Sequence, residues 1–80
     1  MSQLKDLVEY MAKALVDFPE QVNIAEVEAT ATSVIELRVA KEDLGKIIGK
    51  EGKTAKSIRT ILNAASSKLR RRAILNILED

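Results

Sequence analysis

The chain of 80 residues contains 3 glycines, and all of them fall between positions 45 and 52. Elsewhere it avoids the residue that enters left-handed backbone conformations without a Cβ penalty. One sharp bend is therefore concentrated in Gly45-Lys46-Ile47-Ile48-Gly49-Lys50-Glu51-Gly52-Lys53-Thr54, and regular elements must make up the remainder.

Hydrophobic spacing places those elements. Leu4, Leu7, Val8, Met11 and Leu15 form one stripe of an amphipathic helix. Ser2 is placed to cap its start, and Phe18-Pro19 ends it, because a residue before proline is pushed out of the helical region. From Gln21 to Thr30 the pattern is extended, with Val22 and Ile24 in step. Val27 breaks that parity, which implies a bulge or a strand covered on both faces. Thr30-Ala31-Thr32-Ser33 reads as a turn. Ser33–Ala40 then alternates, with Ile35, Leu37 and Val39 on one face and Glu36 and Arg38 on the other.

Glu42 and Asp43 open a short helix, where acids suit the positive end of the helix dipole, and Gly49 stops it. A longer helix runs from Lys53-Thr54 to about Leu69 with Ile58, Leu62, Ala65 and Leu69 as its buried stripe and Ile61 on the flank. Arg72 to Leu78 is an almost continuous apolar run of strand length. The order is α-β-β-α-α-β. A short connection makes the first two strands antiparallel, and two intervening helices allow a crossover to a parallel third. The expected fold is α+β: a three-stranded mixed sheet with three helices packed on one face. Residues 1–80 read as one domain, with the first helix and strand in 1–32 and strand, helix, glycine loop, helix and strand in 33–80.

Composition excludes several kinds of chemistry. With no Cys and no His there is no disulfide, no zinc ligand set and no imidazole or thiol catalyst, so neither a metal site nor a cofactor is expected. Glu26, Glu28 and Glu36 alternate along strands as solvent-facing carboxylates do, and the chain is not expected to be an enzyme. No apolar run is long enough for a membrane span, and Met1-Ser2-Gln3-Leu4-Lys5-Asp6 does not resemble a signal peptide, so a cytoplasmic location is the default.

Charge is nearly balanced overall, 13 Lys and Arg against 12 Asp and Glu, but it is segregated. The first forty residues are net acidic. Between positions 46 and 72 the basic residues are Lys46, Lys50, Lys53, Lys56, Arg59, Lys68, Arg70, Arg71 and Arg72, against Glu51 alone. Basic charge gathered around a glycine bend suits a polyanion, although a solvated helix face would account for the same pattern. Tyr10 and Phe18 are the only aromatic residues, too few for a base-stacking platform.

Two phosphate-binding motifs fail on spacing. A P-loop ending at Gly52-Lys53-Thr54 would need glycine at position 47, which is Ile47. A dinucleotide fingerprint needs G-x-G-x-x-G after a strand, and here the glycine spacing and the preceding element are both wrong. What fits is a helix–turn–helix corner with Gly-x-x-Gly at its apex. Such a corner is an ordinary helix stop; it also presents amide groups near Lys53 and Thr54, with Lys50 and Lys53 alongside, to an anion.

Ile47-Ile48-Gly49-Lys50-Glu51-Gly52-Lys53-Thr54-Ala55-Lys56-Ser57-Ile58 resembles the signature of a KH domain, and the element order resembles the type II arrangement. Over essentially all 80 residues the chain is similar to the small single-domain bacterial KH proteins of the KhpA type. Ala55 stands where many KH domains carry a branched aliphatic, and Glu51 places a negative charge in the loop.

The resemblance implies a protein that holds about four unstacked nucleotides of single-stranded RNA, with the glycine loop clamping the backbone. Gly49, Lys50, Glu51 and Gly52 would form the clamp, Lys46, Ile47 and Ile48 the wall before it, and Lys53, Lys56 and Arg59 the helix after it. Ile48 and Ile58 would serve the core as well. Arg70, Arg71 and Arg72 would extend the rim or simply be solvated helix-end charges. The resemblance also implies an RNA chaperone that forms homodimers or joins a larger KhpB/Jag-type KH protein in control of cell length and cell-wall synthesis. An assembly module with the same fold but little RNA contact is the alternative.

Overall fold

The computed structural model describes residues 2–79. Helix α1 (Gln3–Leu15) leads into strands β1 (Asn23–Glu28) and β2 (Thr32–Arg38). Helices α2 (Leu44–Ile48) and α3 (Lys53–Lys68) follow, meeting at the glycine bend, and strand β3 (Arg72–Ile77) completes the fold. The sheet order is β1-β2-β3; β1 and β2 are antiparallel, β2 and β3 parallel. The α+β architecture expected from the sequence is the one observed.

Ser2 caps α1 as its position suggests, its Oγ accepting from the Lys5 amide at 3.1 Å. The buried stripe differs from the expected one. Leu4, Val8 and Ala12 are buried, Leu7 and Met11 half-buried, and Leu15 is exposed. A strict four-residue step carries the contact line to Ala12, whose small side chain lets the helix lie close to the core, and Leu15 ends beyond it. In α3 the buried line is Ala55, Ile58, Leu62 and Ser66. Leu69 falls past the last turn of that helix and is exposed, and Ala65 is half-buried. The buried Ser66 hydroxyl donates to the Asn63 carbonyl at 3.0 Å, so it carries no unmet polar cost.

Between the two layers lie Leu4, Val8 and Ala12 of α1, Ile35 and Leu37 of β2, Ile47 of α2, Ile58 and Leu62 of α3, and Ala73 and Leu75 of β3. Each fully buried large aliphatic contributes about 1.5–3 kcal/mol. The other face of the sheet is open. Val27 pairs with Val34, and Val34 with Ile74, in one row across it. Val27 is 60% exposed, and residues 23–28 pair one for one with 38–33, so β1 has neither a bulge nor a cover on both faces. The parity break at Val27 is an apolar residue facing solvent.

Asp43 also departs from expectation. It is buried, and its carboxylate accepts from the amides of Asp17 (3.0 Å) and Phe18 (3.0 Å) at the far end of α1. Rather than capping its own helix, it fastens the α1–β1 connection to the start of α2.

Candidate functional site

The bend begins where α2 ends. Gly49 closes that helix with its amide on the Gly45 carbonyl at 2.8 Å and takes φ 76°. Glu51 (φ 57°) and Gly52 (φ 75°) follow in the left-handed region. A Cβ on Gly49 would lie 2.2 Å from Thr54 Oγ1 and 2.8 Å from the Thr54 amide nitrogen, so the side-chain-free position lets the loop close onto the first turn of α3. Beside Gly52 there is open space.

Two amides at the corner are already engaged. Gly52 donates to Gly49 at 3.1 Å and Lys53 to Lys50. The Lys53 amide, expected to be unpaired, therefore stabilises the corner itself. Lys50, Glu51, Lys53 and Lys56 are exposed, and among the described residues no ion pair engages the three lysines. Their charge faces solvent from one corner.

Other candidates are placed differently. Ile47 and Ile58 are buried in the core, and Ile48 is half-buried. Lys46 turns toward the end of α1, with Nζ 3.1 Å from Asp17 Oδ2 and 3.8 Å from Asp43 Oδ1. Its hydrogen bond and charge attraction to Asp17, aided by Asp43, raise its pKa above the usual lysine value, so it stays a cation tied to that pair. Arg71 leaves the rim altogether. Its guanidinium donates to the carbonyls of Ala29 (3.0 Å), Thr30 (3.4 Å) and Thr32 (3.1 Å) and to Ser33 Oγ (3.1 Å). It locks the β1–β2 turn, which has no glycine or asparagine of its own. Arg70 is exposed at the end of α3 with φ 56°.

From the corner, α3 runs alongside β3, and a groove of about 290 Å³ lies between them. Arg59 and Asn63 line it from the helix, Arg72 and Ile74 from the strand, with Leu75 also contributing. Arg59 Nη2 donates to the Leu75 carbonyl at 3.1 Å. The lysines of the corner and, farther along α3 and on β3, Arg59 and Arg72 at the groove are all exposed cations. Among the described residues no cluster could hold a metal ion, and no helix is long and apolar enough to cross a membrane. On the opposite side of α3, Tyr10, Met11, Ala14 and Leu15 of α1 meet Ile58 and Ile61 in a shallow apolar depression, with Tyr10 and Ile61 exposed.

The family model described as KhpA/KhpB, KH domain, matches residues 5–77. The chain belongs to this family. It is 52% identical over 79 residues to the RNA-binding protein KhpA of Aquifex aeolicus, covering 99% of this chain and all of that one. It is also 52% identical over 77 residues to the RNA-binding protein KhpA of Chlamydia caviae, covering 96% and 99%. Two solved structures of Era share the fold over 92% of this chain. One, from Aquifex aeolicus and bound to GDP and aluminium fluoride, has a TM-score of 0.63 at 24% identity and is covered over 29% of its length. The other, in complex with MgGDPNP and part of 16S ribosomal RNA, has a TM-score of 0.66 at 23% identity and is covered over 28%.

For a KhpA/KhpB KH domain, two features of the groove were outside the reach of sequence reasoning. Asn63 lies one helical turn beyond Arg59 and only the folded helix places it in the groove. The edge of β3 becomes a wall because β3 pairs on one side alone.

Proposed function

We propose that this protein binds single-stranded RNA along the path from the glycine corner to the α3–β3 groove, as a binding protein without covalent chemistry. The observation that carries this reading is the corner: two positive-φ glycines hold an exposed turn from which Lys50, Lys53 and Lys56 project without ion-pair partners among the described residues. The KhpA relatives, RNA-binding proteins by name, support it. Gly49, Lys50, Glu51 and Gly52 act as the clamp on the sugar–phosphate backbone, while Arg59 and Arg72 stand beside the bases. The low aromatic content is no obstacle, since a KH groove does not depend on stacking platforms.

The test is fluorescence anisotropy with a short single-stranded RNA. About three neutralised phosphates give a log–log salt slope of roughly −2, at about −0.7 per contact on a single strand. Replacing Lys50 and Glu51 with aspartate should weaken binding severalfold and leave the melting curve unchanged, because both side chains are exposed and aspartate tolerates the left-handed conformation at position 51. Undiminished binding by that variant would remove the clamp.

In the same reading the protein acts as an RNA chaperone, and its apolar depression around Ile61 receives a second copy or a larger KhpB/Jag-type KH protein. The resemblance to KhpA-type proteins extends that reading to control of cell length and peptidoglycan synthesis. A second binding module raises the affinity of one small groove through effective concentration.

A further inference from the structure

Resting on the RNA reading above, we propose that Arg59 sets the base preference of the α3–β3 groove, favouring cytosine and guanine over adenine and uracil. Arg72 and Leu78 donate their amides to Ala31 and Leu37, toward β2. Backbone groups alternate in direction along a strand, so those of Ala73, Leu75 and Ile77 point to the unpaired edge. At Leu75 that edge borders the groove.

A bare Leu75 edge would offer an N–H donor beside a C=O acceptor. That pair complements adenine, whose amino group at N6 donates next to the acceptor N1. In this structure the carbonyl is occupied by Arg59 at 3.1 Å. The groove therefore presents the Leu75 amide beside a guanidinium, which has five N–H donors and no acceptor. Two neighbouring donors call for two neighbouring acceptors. Cytosine supplies O2 and N3, and guanine supplies O6 and N7. Adenine has no such pair, since its amino group adjoins both N1 and N7, and uracil places N3–H between O2 and O4. Asn63 carries both a donor and an acceptor and so does not reverse the choice.

The experiment compares end-labelled hexanucleotides of cytidine, adenosine and uridine by anisotropy, with the native chain and with Arg59→Met. Methionine keeps an unbranched apolar stem but frees the Leu75 carbonyl. The native chain should bind the cytidine oligomer about tenfold more tightly than the other two. In Arg59→Met all affinities fall with the lost charge, but the cytidine-to-adenosine ratio should close toward unity. Because Arg59 is exposed, the fold should persist, which a melting curve verifies. Adenosine binding as tightly as cytidine to the native chain, or a ratio unchanged in Arg59→Met, would overturn the proposal while leaving RNA binding intact. Failure of all three oligomers to bind would sink the RNA reading, and this inference with it.

Discussion

Gly49 and Gly52 have nearly the same φ, 76° and 75°, yet an added methyl group meets different surroundings at each. At position 52 it enters open space and costs only the left-handed strain, about 1–2 kcal/mol. At position 49 it also collides with Thr54, including the backbone nitrogen, which cannot swing aside as a side chain would. Gly49→Ala should therefore lose at least about 1–3 kcal/mol more than Gly52→Ala, the usual penalty of overpacking. Urea denaturation of the two variants gives that difference directly, and equal losses would contradict the geometry at Thr54. Glu51, at φ 57° and ψ 26°, shows that the αL conformation alone does not demand glycine. Position 49 is exclusive because its φ of 76° and ψ of 173° fall in a region essentially confined to glycine and because a Cβ there would also meet Thr54.

At the scale of elements, the end of α1, the start of α2 and the β1–β2 hairpin are held by side chains remote in sequence. Arg71 fastens the hairpin turn through three carbonyls and a hydroxyl, so Arg71→Ala should cost about 2–3 kcal/mol, as expected when polar groups lose a charged partner. Exposed Arg70→Ala should stay within about 0.5 kcal/mol. Thermal melts of the pair test this, and similar shifts would mean that the guanidinium contacts are incidental. The order of elements was legible because local periodicity, the Ser2 cap and the glycine cluster all act over a few residues. What escaped the sequence acts across longer separations. Asp43 reaches the amides of Asp17 and Phe18, and Arg71 reaches a turn some forty residues earlier. In a linear reading each is one more charge in a charged stretch. The same holds at the site: the exposed lysines of the corner follow from spacing, whereas the removal of Lys46 to Asp17 and of Arg71 to the hairpin depends on folding.

For the whole molecule, the two long helices leave an apolar depression on the side away from the groove. Ile61 is 49% exposed there, beside Tyr10 at 76% and Leu15 at 40%, so three large apolar side chains share one solvent-facing patch. If this face joins two copies, Ile61→Asp should give a monomer in sedimentation equilibrium at micromolar concentration while each subunit keeps its fold. A native chain that is itself strictly monomeric would end the proposal of self-association. The groove and this depression lie on opposite sides of α3, so RNA and a second protein need not exclude one another.

β3 lies at the edge of the sheet, paired with β2 alone. Because its outer row of amides and carbonyls has no neighbouring strand, it is open to any extended polymer with matching hydrogen-bond groups, polypeptide as well as polynucleotide. The guanidinium laid across one of those carbonyls, with a second cation on Arg72 nearby, makes the row a poor template for another chain's backbone. Selectivity among nucleotides and resistance to runaway sheet growth would then come from the same latch.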